Sequence, residues 1–342
     1  MNDKIISIII PVYNTEKDYL RKCLEPFLLN EDPRIEIVVV DDGSNSETAA
    51  LLSNMTFGCV NQLKIVHRAN GGQNAARNTG INEAIGEYIE FLDSDDYIDW
   101  NSQLEIIRVL EIYHPDLLSF RAQQMSASGK TICTWGPVAE GEAYREISKS
   151  EMLMECSSLW MQIYKRSIFR QYEINLIESI YIGEDIAAVV PLILASKTLG
   201  VVDSILYHFV ERPTSVTHKV NTNRLLDILK AFESIISWMN QNANICEFDY
   251  KESMSLVERL AIKHVCFAGI ARAVEWDGPC STAIPKLLSW MELHFPNWRN
   301  NSLFKSDPTM HHLNYYLILN GYYRTYLLFL KTKRKIKCLF FR

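Results

Sequence analysis

The chain has 342 residues, of which 48% are hydrophobic and 22% charged, and a formal net charge of −6 at pH 7. That length can bury a large core and build two or three compact units, and the composition excludes a disordered chain. The acidic balance argues against nonspecific nucleic-acid binding by the whole surface, while leaving room for a local basic patch.

Eight cysteines (Cys23, Cys59, Cys133, Cys156, Cys246, Cys266, Cys280 and Cys338) are scattered, with no CxxC pair and no zinc-like spacing. Reduced, mostly structural thiols in a cytoplasmic protein are the expectation. The apolar run Ile5 to Ile10 is too short for a signal peptide or a membrane span, and no other uninterrupted apolar segment reaches about 18 residues. The expected chain therefore does not cross a bilayer, although it can touch one.

In chain order, Ile5 to Ile10 and Ile35 to Val40 are β-branched runs of the kind buried on both faces of a parallel sheet. Between them Thr15 and Asp18 resemble a weakened capping box for a helix through Phe27-Leu28, with Pro26 kinking or ending it near its last turn. Ser44 followed by Glu47 predicts a better capping box for a helix through Leu51-Leu52. Leu63 to His67 reads as a third strand, Gly71 and Gly72 open a helix from Gln73 to Ile85, and Tyr88 to Leu92 reads as a fourth strand. Repeated β-α units of this kind bind ligands beyond the carboxyl ends of their strands. Residues 101–216 are mixed, with a helix near Leu104 to Ile112 and another after Gly183. Asn221 to Leu330 reads as mostly helical, and there is no internal repeat or low-complexity linker.

The chemistry-bearing groups fall where that topology places a site. Pro11-Val12-Tyr13-Asn14, Asp41-Asp42 and Asp93-Ser94-Asp95-Asp96 each end a strand. Two like charges about 5 Å apart repel by roughly 3 kcal/mol at an effective dielectric of about 20, so the acidic cluster calls for a cation or bound donor groups. A divalent metal supplies the first, since carboxylate oxygens are hard ligands suited to Mg²⁺ or Mn²⁺. An acidic turn capping the next helix is the alternative. Asp42 is placed to accept hydrogen bonds from a heterocycle or ribose, or else to cap a helix beside Ser44. Gln73, Arg77 and Gly80 share a helical face, so Arg77 can point toward Asp42 or Asp93. The glycines form neither a GxGxxG fingerprint nor a GxxxxGK[ST] phosphate loop.

Together, Pro11 to Asn14, Val39-Val40-Asp41-Asp42-Gly43-Ser44, Asn70-Gly71-Gly72, Ala76-Arg77-Asn78-Thr79-Gly80 and Phe91 to Asp96 resemble the family 2 glycosyltransferases. The resemblance is specific through about residue 100 and recognisable to Ser215. It implies an α/β GT-A fold with a mainly parallel central sheet, followed by a mostly helical region. It also implies that Asp42 contacts the base, that Asp93 lies near ribose and metal, and that Asp95 ligates the Mn²⁺ or Mg²⁺ through which the donor diphosphate is held. Pro11, Tyr13, Asn14, Gly72, Arg77 and Ser94 would border the nucleotide, and Asp96 would be an outer or substrate contact.

Further along, Trp160 and Tyr164-Lys165-Arg166-Ser167-Ile168-Phe169 resemble the family's acceptor-side segment, with Lys165 a candidate acceptor or phosphate contact. Gly183-Glu184-Asp185 resembles its acidic catalytic motif, which implies Asp185 as general base and Glu184 as its positioning partner. Ordinary first-turn acidic residues at a helix start are the alternative. Tyr207-His208-Phe209, Arg212 and Ser215 resemble a segment closing over the donor phosphates. His208 and His218 are candidate ligands or phosphate contacts, with a structural role the other reading of His208.

The chain's end carries Arg324, Lys331, Lys333, Arg334, Lys335, Lys337 and Arg342 among aromatics and leucines, without an acidic residue from Gly321 on. Such a tail suits an anionic membrane interface, with an oligomer contact or a solvated helix as the alternatives. No nucleic-acid recognition motif is present. The expected organisation is a nucleotide-sugar half at 1–100, an acceptor half at 101–218 and a helical region at 219–342. The expected activity is inverting transfer of one sugar, from a UDP-linked donor, to a glycan or polyprenyl-linked oligosaccharide. Surface-polysaccharide assembly at the inner face of the cell membrane would be its setting. A sugar nucleotidyltransferase and a catalytically silent nucleotide-sugar-binding scaffold are the rival readings.

Overall fold

The structure is a computed structural model that describes residues 3–55, 63–126, 128–155, 158–211, 222–244, 248–302, 305 and 312–340. By its packing the chain divides into two compact units. The first comprises Met1–Ser179, Glu184–Ser215 and Asn244–Glu247; the second, Ile180–Gly183, Val216–Ala243 and Phe248–Arg342.

The first unit opens with β1 (Ile6–Val12), α1 (Lys17–Leu29), β2 (Ile35–Asp41), α2 (Ser46–Met55), β3 (Leu63–His67), α3 (Gln73–Glu83) and β4 (Tyr88–Phe91). It continues with β5 (Tyr97–Ile98), α4 (Trp100–Tyr113), β6 (Leu117–Met125), β7 (Thr131–Trp135), β8 (Arg145–Glu146), α5 (Lys149–Glu155), β9 (Gln162–Lys165), α6 (Arg166–Gln171), α7 (Glu184–Ala195) and β10 (Leu199–Val210). The strands form one sheet in the order β3-β2-β1-β4-β9-β6-β10-β5, with β7 on β6 and β8 on β10. The β3-β2-β1-β4 block is parallel, as is β10 on β6, while β9 lies antiparallel between β4 and β6. Strands on either side of residue 100 thus share a sheet, and its parallel strands β1, β2 and β4 aim their carboxyl ends the same way.

Continuous apolar strands produce this burial because both faces are covered. Ile8 and Ile10 of β1 join Leu20, Phe27 and Ile106 in one core cluster. On the opposite face, α3 lies so near β1 that a Cβ on Gly80 would overlap Ile9. Two caps differ from expectation. Thr15 does not cap α1, because its hydroxyl bonds the Ser94 hydroxyl at 2.6 Å. Asn45 caps α2 instead of Ser44, accepting the Thr48 amide at 2.9 Å, because Ser44 is held by Asp41 and accepts the Asn14 amide at 3.1 Å. Helix α1 continues past Pro26 to Leu29.

The second unit is helical. Its longer helices are Asp227–Asn242, Tyr250–Ala261, Ala283–His294 and Tyr323–Phe340, and a π-helical stretch, Ile262–Gly269, leads into the helix Ile270–Asp277. Tyr326 ties the last helix to Glu275 through a 3.1 Å hydrogen bond.

One buried polar pair in the first unit behaves as an internal proton holder. Glu90 of β4 accepts the Gln103 side-chain amide at 3.0 Å, and the other oxygen of each residue is buried without a partner. Burial raises the Glu90 carboxyl from 4.5 to about 8, an effect the Gln103 hydrogen bond opposes. Because the folded value is the higher one, the associated stability is present below the unfolded value and is lost as pH rises through the folded one. Glu90→Gln keeps an amide pair with Gln103 and should flatten this loss. Between pH 5 and 8.5 the wild type should lose on the order of a few kcal/mol more than the variant, as measured by urea unfolding across that range.

Candidate active site

Three chain segments meet beyond the carboxyl ends of β1, β2 and β4. After β1, Tyr13 is exposed and Asn14 takes a left-handed conformation at φ 50°, with its side-chain oxygen accepting the Asn45 amide at 2.8 Å. Pro11 sits past the last β1 to β4 pairing, Ile9↔Phe91, where its missing N–H costs that ladder nothing.

After β2, Asp42 is buried and fully engaged by its own chain. Its carboxylate accepts the Gly72 amide at 2.7 Å, the Gly71 amide at 3.0 Å and Arg68 Nη1 at 2.7 Å. These donors fix the Asp42 carboxylate against the start of the loop that follows β3. Asp42 shapes the loop that opens α3, whose Gly72 has φ 92°, a conformation that favours glycine. Arg68 was missed in the sequence, although it ends β3 just as Asp42 ends β2. The neighbouring Asp41 carboxylate is held by His67 at 2.8 Å.

Helix α3 is the organiser. Gln73 donates to Asp93 Oδ1 at 2.8 Å, and Arg77 Nη2 reaches the same oxygen at 2.8 Å. Arg77 Nη1 lies 3.6 Å from Asp185 Oδ1. Asn74 and Asn78, one helical turn apart, bond the backbone carbonyls of Ile177 and Leu176 at 2.9 and 2.8 Å. Arg77 is only 2% exposed and lies as a buried counter-ion between the Asp93 and Asp185 carboxylates. It does not reach Asp42.

Glu184 and Asp185 begin α7, where helix-end dipoles favour negative charge. Burial raises the Asp185 carboxyl, an effect that Arg77 opposes and Asp93 reinforces. Burial, and then the Asp185 charge, raise Glu184 as well. Asp96 is buried behind the acidic turn and pushed up to about 8, by burial first and by Asp93 second.

The remaining expected contacts separate. Trp160 stacks on Tyr207 with ring centroids 4.3 Å apart and precedes β9 beside the site. Lys165 pairs with Tyr88, at the start of β4, so it lies at the opposite end of the strand and faces Asp116 at 3.6 Å. His208 stacks on Tyr97 at 4.6 Å, and burial lowers its pKa. Because successive strand residues face opposite ways, it lies on the face of β10 opposite Tyr207. Arg212 and His218 lie outside the described residues.

Among the described residues, no three His, Cys, Asp or Glu side chains are grouped to hold a metal by themselves. Arg77 and Gln73 both bond Oδ1 of Asp93, leaving Oδ2 on the half-buried turn with Asp95. One or two carboxylates plus substrate phosphates is how Mg²⁺ is commonly held, so these residues fit a divalent ion that arrives with a diphosphate.

Residues 7–170 match the model of glycosyl transferase family 2. That match spans 164 of the 342 residues, and over it the chain resembles this family. It is 27% identical over 222 residues to an uncharacterized glycosyltransferase, EpsJ, of Bacillus subtilis, covering 62% of this chain and 63% of that one. It is 30% identical over 193 residues to glycosyltransferase GlyA of Streptococcus pneumoniae, covering 54% of this chain and 27% of GlyA. The chain thus spans less than two thirds of either relative. Staphylococcus aureus TarS 1–349, solved in complex with UDP-GlcNAc, superposes with a TM-score of 0.73 at 20% identity, over 94% of this chain and 92% of that one. The shared fold is GT-A.

Arg77→Met leaves Asp93 and Asp185 without their shared cation and should cost about 3 to 5 kcal/mol in urea unfolding near neutral pH. The deficit should shrink on acidification, because protonating either carboxyl removes the unpaired charge. A deficit independent of pH would show that Arg77 acts only by packing.

Proposed function

We propose that this chain is an inverting glycosyltransferase that moves one sugar from a nucleotide diphosphate donor to a glycan or polyprenyl-linked oligosaccharide acceptor. The observation that carries this reading is Arg77, which joins the acidic turn after β4 to the acidic start of α7 through 2.8 and 3.6 Å contacts. A donor-binding turn and a candidate base are thereby brought within one side chain's reach. The complex of the structural neighbour TarS with UDP-GlcNAc supports a UDP-linked donor.

In this reading Tyr13, Asn14 and the loop shaped by Asp42 flank the nucleotide, and Asp93 and Asp95 face the diphosphate. Asp185 accepts the acceptor's hydroxyl proton as that oxygen bonds to the anomeric carbon. The bond from that carbon to the diphosphate breaks, and the nucleoside diphosphate leaves with the electron pair. One displacement inverts the anomeric centre and needs no covalent enzyme intermediate. A carboxyl raised above its ordinary value is a stronger base than a solvated one, and Arg77 beside it favours the ionised form. Glu184 positions Asp185 or the acceptor. A divalent ion held by Asp93 and Asp95 would supply charge neutralisation on the leaving diphosphate.

Among the described residues no helix is long and apolar enough to cross a membrane. The basic residues from Arg324 onward support contact with an anionic surface, where a lipid-linked acceptor for surface polysaccharide would be presented.

UDP- and GDP-sugars with Mn²⁺ or Mg²⁺, scored for donor hydrolysis and transfer, test the activity. Asp185→Asn should lower both rates by about two to four orders of magnitude while UDP binding persists. Unchanged rates would remove Asp185 from the chemistry, and pyrophosphate release from a nucleoside triphosphate would favour a nucleotidyltransferase. Asp95→Ala should abolish the Mn²⁺ dependence of UDP binding in calorimetry; unaltered dependence would remove Asp95 from the metal site.

A further inference from the structure

The acidic turn leaves the sheet just where it is needed. The Leu92 amide still bonds Ile9 O at 3.0 Å, after which Asp96 N turns back to Asp93 O at 3.0 Å. The contacts that fix the turn from behind come from β10, more than a hundred residues later. The Tyr207 hydroxyl donates to Asp96 Oδ2 at 2.7 Å and accepts the Asp93 amide at 3.2 Å. The other Asp96 oxygen accepts the Val210 amide at 2.7 Å. Asp96 is 2% exposed and Tyr207 fully buried. Just past the turn, β5 pairs back onto β10 through Tyr207↔Ile98 and His208↔Tyr97.

We propose that Asp96 and Tyr207 form a strut that sets the backbone of the Asp93–Asp95 turn, making both of them positioning residues for the donor's diphosphate. The functional half of this statement rests on the reading of Asp93 and Asp95 given above. Packing alone does not call for the pair. Burying a carboxyl and a phenol hydroxyl carries a desolvation cost that phenylalanine and an apolar neighbour would avoid. Its hydrogen bonds are spent on the amide of Asp93 itself and on the end of β10. Reacting groups misplaced by about 1 Å can lose about a hundredfold in rate, so a turn lacking ladder bonds gains from such a fixed point. Trp160 stacks on the Tyr207 ring at 4.3 Å, so the ring has its own support and the hydroxyl can be removed separately.

The test uses the full chain with Tyr207→Phe, Asp96→Ala and Asp96→Asn. Amide hydrogen exchange in the ligand-free protein reads the strut, and calorimetry with UDP in the presence of Mn²⁺ reads its consequence. Tyr207→Phe should retain cooperative thermal unfolding, accelerate exchange at the Asp93 amide by about tenfold and weaken UDP binding by a similar factor, the worth of one hydrogen bond. In steady-state assays the donor KM should rise more than kcat falls. Asp96→Ala should behave likewise. Asp96→Asn, which keeps an acceptor for Val210 and a polar partner for Tyr207, should recover most of the affinity and serves as the folded comparison if the others unfold. Wild-type exchange and UDP affinity in Tyr207→Phe would overturn the proposal, whatever the change in Tm. If the wild type binds neither UDP nor GDP with Mn²⁺, the reading of Asp93 and Asp95 fails, and the exchange rates still decide whether the strut holds the turn.

Discussion

A buried arginine between two carboxylates is the constraint on which the site depends. Arg77 can occupy that position only because α3 lies hard against β1, and α3 can approach so closely because Gly80 has no side chain to meet Ile9. From that seat the helix uses one face for two jobs. Gln73 and Arg77 orient Asp93, while Asn74 and Asn78 hold the chain at Leu176 and Ile177 ahead of α7. Removing such a cation is costly because the charges it leaves are already out of water, which ties the stability of the fold to the geometry of the site.

The same economy governs the strand ends. Asp42 and Asp96 are acidic residues in motif positions, yet each is buried and hydrogen-bonded on both oxygens by its own chain. Both shape loops: Asp42 gathers Gly71, Gly72 and Arg68, and Asp96 gathers Tyr207 and Val210. Asp93 and Asp185, by contrast, keep part of their surface accessible, with side chains 21% and 24% exposed. Burial thus separates the acidic residues that shape loops from those whose side chains remain partly accessible.

Much of this architecture was legible because buried parallel strands write themselves as β-branched runs. Ile35 to Val40 and Leu63 to His67 reappear as β2 and β3 nearly residue for residue. The motifs at the strand ends were also found, since the topology dictates where a site lies. Side-chain partners were harder to read. Thr15 and Ser44 carry capping-box signatures, but long-range competitors, Ser94 and the Asp41 to Asn14 pair, take their polar groups. Lys165 and His208 sit in suggestive segments, and the strand register sets one beside the start of β4 and the other on the face of β10 opposite Tyr207. Arg68 and the Asp96 to Tyr207 bond join distant positions, a relation that spacing along the chain does not encode.

The charge balance gives the donor a condition for entry. Asp93, Asp95, Glu184 and Asp185 gather near one another in the chain's two acidic motifs, and the cation seen between them, Arg77, is already committed to two carboxylates. A diphosphate brings further negative charge into a region where burial is raising the Glu184 and Asp185 carboxyls. Two unit charges 4 Å apart interact by about 4 kcal/mol at an effective dielectric near 20, so an unaccompanied diphosphate would be repelled by the residues proposed to act on it. A divalent ion would reverse that sign, and Oδ2 of Asp93, the oxygen that Arg77 and Gln73 do not bond, is a hard ligand of the kind such an ion takes.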